Sequence, residues 1–547
     1  MKAKLQCTKH HHALTVCSPL LGKNMLFIDI KQEIIDISQL ISHGDFKQAY
    51  IRTNNILLRI NKLMKNKQYY DYLFNISGLF VDIGHMGKIS DSTTTGIRIL
   101  EENRDYFEKN KNNSFYYFYA NALSNILKEE KESLCFVNFQ NINILNNAKK
   151  MYWKAIKSVQ SQDKTIPNEY LVNLANSLKS QYRLVEAIQY YDQVNKSSDI
   201  PQAWINKSEA LIMLNNMTSS LSINMLEEIK TGFLYASKSK EVPKIWHEYY
   251  EYRANSISQQ INKLREENNE TEIEDKEQTQ FEYNSHSNYR KWCLDNHMSL
   301  TEHGLYCKCI ASSKDNLTIF ENTIGNQTIV SMELVLNRLK SEFGFARHLY
   351  YEYLHNNQWT EADTEQGFSQ LFNDEILGLN IERIRMAFRI CFGILDKIGV
   401  AIFDLLNLEK QKHEMIYFHS FWDKTPERII FFQNIKNNGL VALYSIANDL
   451  NPSKMHKGEL SFYKKWRNLL EHDFMIIHKN NFPEDLYGSY QGFKKQIEFV
   501  NEHEFLESLT HVLQLTRSAI FSFVFAVREY AKQNSPNENQ ISGTLEV

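Results

Sequence analysis

The sequence has few of the residues that interrupt regular structure, with 19 Gly and 8 Pro among 547 residues. Antiparallel β folds need turn residues every ~8–12 positions, so this scarcity favours long helices. An excess of one charge is also missing, because 62 basic side chains face 65 acidic ones and the net charge is −3. A general basic field is therefore excluded, and any contact with nucleic acid must be a local patch.

Cysteines and long apolar runs are scarce as well. The seven cysteines do not form the framework of a short secreted protein, which favours reduced thiols. The apolar stretch Ala519 to Val527 contains Ser522 and is far shorter than the ~18 residues that span a bilayer. His10, His11 and His12 stand where a signal peptide needs an apolar core. We therefore expect a cytoplasmic protein with no membrane partner.

Helical repeats are the first pattern that is present. Apolar residues between positions 168 and 210 recur at helical spacing, and the small residues Ala175 and Ala187 fall where two helices would approach closely. Tyr170 and Trp204, each leading a helix, are 34 positions apart. This period resembles the tetratricopeptide family, whose helix pairs stack into a solenoid. Two interpretations stay open: an array that binds a partner on its concave face, and a generic array without a ligand.

Weaker copies of the repeat precede this region. Gly44 to Ala49 has the glycine, aromatic residue and alanine of a turn leading into a second helix. A further copy resumes at Ala148, which is 39 rather than 34 positions before Ala187, so the repeats are degenerate. The resemblance to tetratricopeptide repeats is therefore partial.

A change of composition separates these repeats from the C-terminal region. Glu266 to Glu277 contains seven acidic residues against Lys276, which is typical of a solvated helix end or a linker. Amphipathic helices return after it, with apolar faces over 332–343, 384–402 and 509–527. Several long helices of this kind predict a helical bundle.

One motif in this bundle carries chemistry. Arg467 is followed by Asn468 and, after four intervening residues, by His472. This pattern resembles the active-site signature of HEPN-domain ribonucleases, in which a polar residue follows the Arg and a His comes four to six residues later. The resemblance covers the C-terminal third and implies a bundle that docks with a second copy. Arg290 and His297 have an allowed spacing too, but Lys follows that Arg.

The residue types suit cleavage of RNA without a metal. The ribose 2′-OH can serve as nucleophile, a histidine can act as general acid or base near neutral pH, and an arginine can stabilise charge on the phosphate. Arg467 and His472 are separated by about 140° on an ideal helix, so one regular helix does not bring them to one phosphate. Either the helix is distorted or a second chain supplies the partner group. Asn468 shares a face with His472 and is expected to support it.

Basic residues precede the motif: Lys454, Lys457, Lys464 and Lys465 are expected to bind the RNA backbone. The alternative is an ordinary solvated helix face, with an ion pair between Arg467 and Glu471 and with His472 as a surface residue.

Metal and cofactor sites have weaker patterns. Two groups contain zinc-capable side chains, namely Cys293, His297, His303, Cys307 and Cys309 in the first, and Cys7, His10, His11, His12 and Cys17 in the second. Neither spacing is that of a standard zinc finger, and buried thiols with surface histidines are the default interpretation, although zinc at the first group stays open. Phosphate-binding glycine loops and the Gly-x-Ser-x-Gly and His-Glu-x-x-His motifs are missing from the sequence, so we expect neither a cofactor nor a catalytic metal.

The sequence thus predicts an all-α chain with five parts: a flexible N-terminus (1–24), tetratricopeptide-like repeats (25–262), an acidic connecting segment (263–324), a HEPN-like bundle (325–533) and a flexible tail (534–547). The resemblance implies a homodimeric endoribonuclease that leaves 2′,3′-cyclic phosphate ends on tRNA or mRNA. It also implies a toxin or antiviral-defence role in prokaryotes. We expect the repeats to act as a sensor or as the docking surface for a protein trigger or inhibitor. The alternative is a non-catalytic scaffold whose bundle serves only dimerisation.

Overall fold

The computed structural model of the protein describes residues 24–129, 139, 141–162, 164–218, 222–268, 276–319, 327–356, 358, 360–369, 374–453, 457–479, 488, 490, 492 and 497–534. The expected flexible ends lie outside these residues apart from Asn24 and Asn534. The chain divides into two compact units, Met1–Gln181 and Tyr182–Val547. The all-α prediction is confirmed, since the regular structure of the described residues is helical apart from two five-residue strands.

The first unit is an array in which each helix packs on the next one in the chain. Its helices are α1 (Asn24–Ser42), α2 (Phe46–Ile60), α3 (Lys67–Gly87), α4 (Ser90–Glu102), α5 (Arg104–Glu129), α6 (Ile142–Gln160) and α7 (Asn168–Ser180). At the turn before α2, Gly44 has a φ of 82°, and the carboxylate of Asp45 accepts a hydrogen bond from the backbone N–H of Gln48 at 3.3 Å. Ala49 and Ala148 are completely buried, as close helix packing requires. Assignment of these helices to tetratricopeptide repeats stays a prediction.

The second unit begins with another run of consecutively packed helices. These are α8 (Leu184–Ser197), α9 (Pro201–Thr218), α10 (Ile223–Lys238) and α11 (Lys244–Asn268), followed by the shorter α12 (Lys276–Ser285) and α13 (Asn288–Asp295). The division between the units therefore falls inside the region predicted as repeats. Glu266 and Glu267 of the acidic run form the exposed end of α11.

The rest of the second unit is the helical bundle. Its elements are α14 (Gln327–His355), α15 (Glu361–Glu365), α16 (Leu379–Leu405), α17 (Pro426–Asn434), α18 (Asn438–Leu450), α19 (Ser461–His472), β1 (Phe474–His478), β2 (Ile497–Asn501) and α20 (Glu502–Asn534). Helix α20 is central, because α14, α16 and α18 all pack against it. It is long and apolar enough to cross a membrane by length and composition, but 83% of its most apolar 18-residue stretch is buried inside the unit, which is typical of a core helix.

The strands β1 and β2 form a parallel pair that the sequence analysis missed. Their register runs from Phe474 opposite Ile497 to His478 opposite Asn501. Strand β1 starts two residues after α19 ends, and β2 leads directly into α20. The pair therefore fixes the C-terminal end of α19 beside the N-terminal end of α20.

The segment 296–319 is held on the bundle by buried arginines. The guanidinium of Arg347 on α14 donates to the carbonyl of Met298 at 2.7 Å, and that of Arg517 on α20 donates to the carbonyl of Ser299 at 2.7 Å. Both side chains are at least nine-tenths buried. These charge-assisted bonds fix a segment that was predicted to be only a connection.

Candidate functional site

Helix α19 is anchored by one aromatic and apolar face. Tyr463, Trp466 and Leu469 are buried at three-residue spacing. The ring of Trp466 stacks on Phe505 of α20 with a centroid distance of 5.9 Å. Because this face points into the bundle, the polar residues between these anchors are placed on the outer side of the helix.

The predicted motif residues lie on this outer side. Asn468 and His472 are exposed, and Arg467 is half-buried. The guanidinium of Arg467 donates to the side-chain oxygen of Asn468 at 3.2 Å. Helix α19 is a single α-helix from Ser461 to His472, so a distortion of the helix does not bring Arg467 and His472 together.

A second helix contributes an arginine that the sequence analysis missed. Arg389 of α16 forms a two-pronged ion pair with Glu471, with contacts of 3.2 Å to both carboxylate oxygens. The hydrogen bond from Arg389, with its charge, holds the pKa of Glu471 below the usual range. The alternative interpretation paired Glu471 with Arg467, but the described partner is Arg389. Arg385, one turn earlier, donates to the carbonyl of Met475 at 3.2 Å. The available signal was the spacing of Arg385 and Arg389, which are four residues apart and therefore share one face of α16.

A concavity of about 320 Å³ lies beside the motif. It is lined by Pro452, Ser461, Lys464, Lys465, Asn468, Leu469 and Asp473. Two of the four predicted RNA-binding lysines and one motif residue therefore share this surface. A cavity of this size is at the lower end of the range for small-ligand sites.

The four predicted lysines differ in their surroundings. Lys465 is exposed and forms an ion pair with Glu498, whereas Lys457 is exposed near the start of α19. The ammonium of Lys464 lies 2.6 Å from Nε2 of His419, and burial lowers the pKa of Lys464. Burial and the charge of Lys464 lower the pKa of His419 to about 3, so this imidazole is neutral. Lys454 lies outside the described residues.

The second match to the motif spacing is structural. The side chain of Arg290 is buried and donates to the carbonyl of Ser312 at 2.6 Å and to Asp315 at 2.7 Å. His297 has a φ of 54° just after α13. Through these contacts Arg290 holds the 296–319 segment in place. Arg467 and His472 are therefore the candidate catalytic pair.

Of the five zinc-capable residues in the first group, three come together. One nitrogen of His303 and the sulfurs of Cys307 and Cys309 all lie within 4.8 Å of one another. Cys293 is buried elsewhere, and burial raises the pKa of its thiol. The second group, Cys7 to Cys17, lies outside the described residues.

Comparison with known proteins identifies the C-terminal part of the chain. Residues 324–530 match the family model described as LA2681-like HEPN. The predicted bundle, 325–533, covers nearly the same residues. No curated protein and no solved structure matches the chain. The family model does not extend to the upstream helices.

Proposed function

Residues 324–530 are an LA2681-like HEPN domain, and from this premise we propose that the protein is a metal-independent endoribonuclease. The observation that carries the proposal is the outer face of α19, where Asn468 and His472 are exposed and Arg467 is half-buried, while Tyr463, Trp466 and Leu469 on the opposite face are buried in the core. An arginine and a histidine at the allowed spacing, inside a domain of the family in which that spacing is a signature, favour catalysis over a solvated surface.

The proposed reaction uses the RNA itself as nucleophile. The 2′-oxygen attacks the adjacent phosphorus, the bond to the 5′-oxygen breaks, and the products are a 2′,3′-cyclic phosphate and a 5′-hydroxyl. His472 accepts the 2′ proton or donates one to the leaving oxygen. Arg467 stabilises the charge that develops on the phosphate, and Asn468 supports the site. Lys457, Lys464 and Lys465, with Lys454, attract the backbone of the bound tRNA or mRNA.

A homodimer makes this chemistry possible. Arg467 and His472 diverge by about 140° on one regular helix, so groups from two chains must meet at one phosphate. We propose that two C-terminal bundles dock with their α19 motifs facing each other. The upstream helices would then bind a protein trigger or inhibitor, in a cytoplasmic toxin or antiviral-defence role.

The first experiment measures cleavage of labelled total tRNA in EDTA. We expect wild-type protein to leave cyclic-phosphate ends and His472→Ala and Arg467→Ala to lose cleavage while keeping their helicity and dimerisation. His503→Ala is the matched control, since His503 is an exposed histidine of the same domain, at the start of α20. Equal cleavage by wild type and both motif variants would overturn the assignment of the site, whereas absence of cleavage in wild type would favour the scaffold alternative.

The second experiment tests the composite site by mixing the two inactive variants. Each dimer contains two pairs in which Arg467 of one chain meets His472 of the other. In a dimer of one His472→Ala chain and one Arg467→Ala chain, one of these two pairs is intact. Random exchange makes half of the dimers mixed, so we expect recovery of about a quarter of the wild-type activity. If both groups act from the same chain, the mixture stays inactive.

A further inference from the structure

The segment 302–312 of the second unit brings three metal-binding side chains to one point. His303 lies in a short 3-10 helix, His303–Leu305, and Cys307 and Cys309 follow it before a second one, Ile310–Ser312. Nε2 of His303 is 3.0 Å from the sulfur of Cys309, and all three ligand atoms lie within 4.8 Å of one another. We propose that His303, Cys307 and Cys309 bind a zinc ion.

A fourth group completes the arrangement from a distant helix. The side-chain amide nitrogen of Asn224, on α10, lies 3.5 Å from Nε2 of His303, 3.7 Å from the sulfur of Cys307 and 3.9 Å from that of Cys309. The edges of a tetrahedron around zinc, with bonds of 2.0–2.3 Å, are about 3.3–3.8 Å long. The amide of Asn224 therefore stands at the fourth corner.

The chemistry of the fourth corner follows from the amide. Rotation of the amide by 180° exchanges its nitrogen for its oxygen at nearly the same place. The oxygen would then contact the zinc directly or hold a water that does. Two sulfurs, one imidazole and one oxygen are all accepted ligand types for zinc.

The surroundings orient two of the three ligands. The hydroxyl of Tyr306 lies 3.3 Å from Nδ1 of His303, which leaves Nε2 directed toward the sulfurs. The backbone around Cys309 is fixed by a contact of 3.2 Å between its carbonyl and Nε2 of His286 and by a hydrogen bond of 2.7 Å from the hydroxyl of Ser312. Such outer contacts are typical of metal sites.

The proposed site is sheltered from solvent, since Cys309 is buried and His303 and Cys307 are half-buried. Bound zinc would tie the 302–312 segment to α10 and so act as a structural clamp.

The test measures the zinc content of the full-length chain, purified under reducing conditions without an added histidine tag, by mass spectrometry of the metal. We expect about one zinc per chain in wild type, and background zinc in His303→Gln and Cys309→Ser. Cys293→Ser is the matched control, because this thiol is buried in the same region but lies outside the cluster. A Cys7→Ser, Cys17→Ser double variant should also keep its zinc.

Two further measurements do not depend on how those variants fold. First, wild-type protein loaded with Co²⁺ should show the thiolate charge-transfer bands and the intense visible bands of a tetrahedral site. Second, Asn224→Asp supplies a carboxylate oxygen, so this variant should keep its metal and should transfer it to a chelator more slowly than Asn224→Ala does. Wild-type protein that stays without metal after incubation with equimolar zinc would overturn the proposal. Loss of zinc in the Cys7, Cys17 double variant but not in Cys309→Ser would do the same.

Discussion

Replacement of Arg183 tests whether α8 is energetically part of the unit that contains the HEPN bundle. The Arg183 side chain is completely buried. It donates two bonds of 2.6 and 2.7 Å to Glu186 and a further bond to Asp449 of α18, 266 residues away. In Arg183→Met an unbranched apolar side chain replaces the guanidinium, so the positive charge is lost. Two carboxylates that are about 95% buried then face each other without a cation.

The expected cost follows from this burial. Removing one member of a buried ion pair typically destabilises a protein by about 3–5 kcal/mol, because an uncompensated charge is left inside. Unfolding entropy of about 2.1 cal/mol/K per residue gives roughly 0.8 kcal/mol/K for a unit that runs from Tyr182 to Val547. We therefore expect the Tm of this unit to fall by roughly 4–6 °C.

Differential scanning calorimetry on the full-length protein measures this change. The matched control is Lys465→Met, which breaks the ion pair of Lys465 with Glu498, whose side chains are 45% and 31% exposed. An exposed pair is worth about 0–1 kcal/mol, so the control should shift the Tm by about 1 °C or less. If Arg183→Met moved the Tm no further than the control, the reasoning that joins α8 to the bundle would be refuted.

Two further predictions concern stability. Burial, with the charge of Arg517 nearby, lowers the pKa of His297 to about 3, against 6.5 in the unfolded chain. The stability that comes from keeping His297 neutral is therefore fully present above pH 6.5 and is lost as the pH falls toward 3. Asparagine tolerates the left-handed backbone at this position, so His297→Asn should fold as wild type does. The fall in Tm between pH 7.5 and pH 5 should be smaller in this variant than in wild type by roughly 2–3 °C, and identical pH profiles of Tm would contradict the prediction. In Gly439→Ala the new Cβ would lie 2.3 Å from the backbone nitrogen of Ala526, so thermal unfolding should reveal a loss of at least about 1–3 kcal/mol. Gly344→Ala, which meets nothing within 4 Å in the middle of α14, should instead be neutral or stabilising by about 0.5–1 kcal/mol, and equal effects of the two changes would refute the packing argument.

The sequence was sufficient for the helices whose burial is periodic. The apolar face predicted between Met332 and Phe343 is buried on α14, and the one predicted between Leu509 and Val527 is buried on α20. Periodicity reports which face of a helix is buried, and this is a local property of the chain. The placement of Arg467, Asn468 and His472 on a helix could be predicted for the same reason.

Contacts between residues that are distant in the sequence could not be predicted from it. The strand β1 has five residues, and its pairing with β2 depends on a parallel register that no local pattern specifies. The ion pair of Arg389 with Glu471 joins residues 82 positions apart, and the amide of Asn224 meets Cys307 across 83 positions. Each of these contacts is decided by how helices pack, so a spacing rule does not reveal it.

The position of α20 has a consequence for synthesis. The helices α14, α16 and α18 each bury an apolar face against α20, yet α20 follows all of them in the chain. At roughly 5–20 residues per second, the 84 residues between the end of α18 and the end of α20 take roughly 4–17 s to translate. Throughout that interval the apolar faces of α14, α16 and α18 that α20 will cover are exposed on the nascent chain, where other apolar surfaces in the cell can bind them. A ribosome that stalls between the α19 motif and α20 would therefore release a chain that carries the motif on an unfinished core.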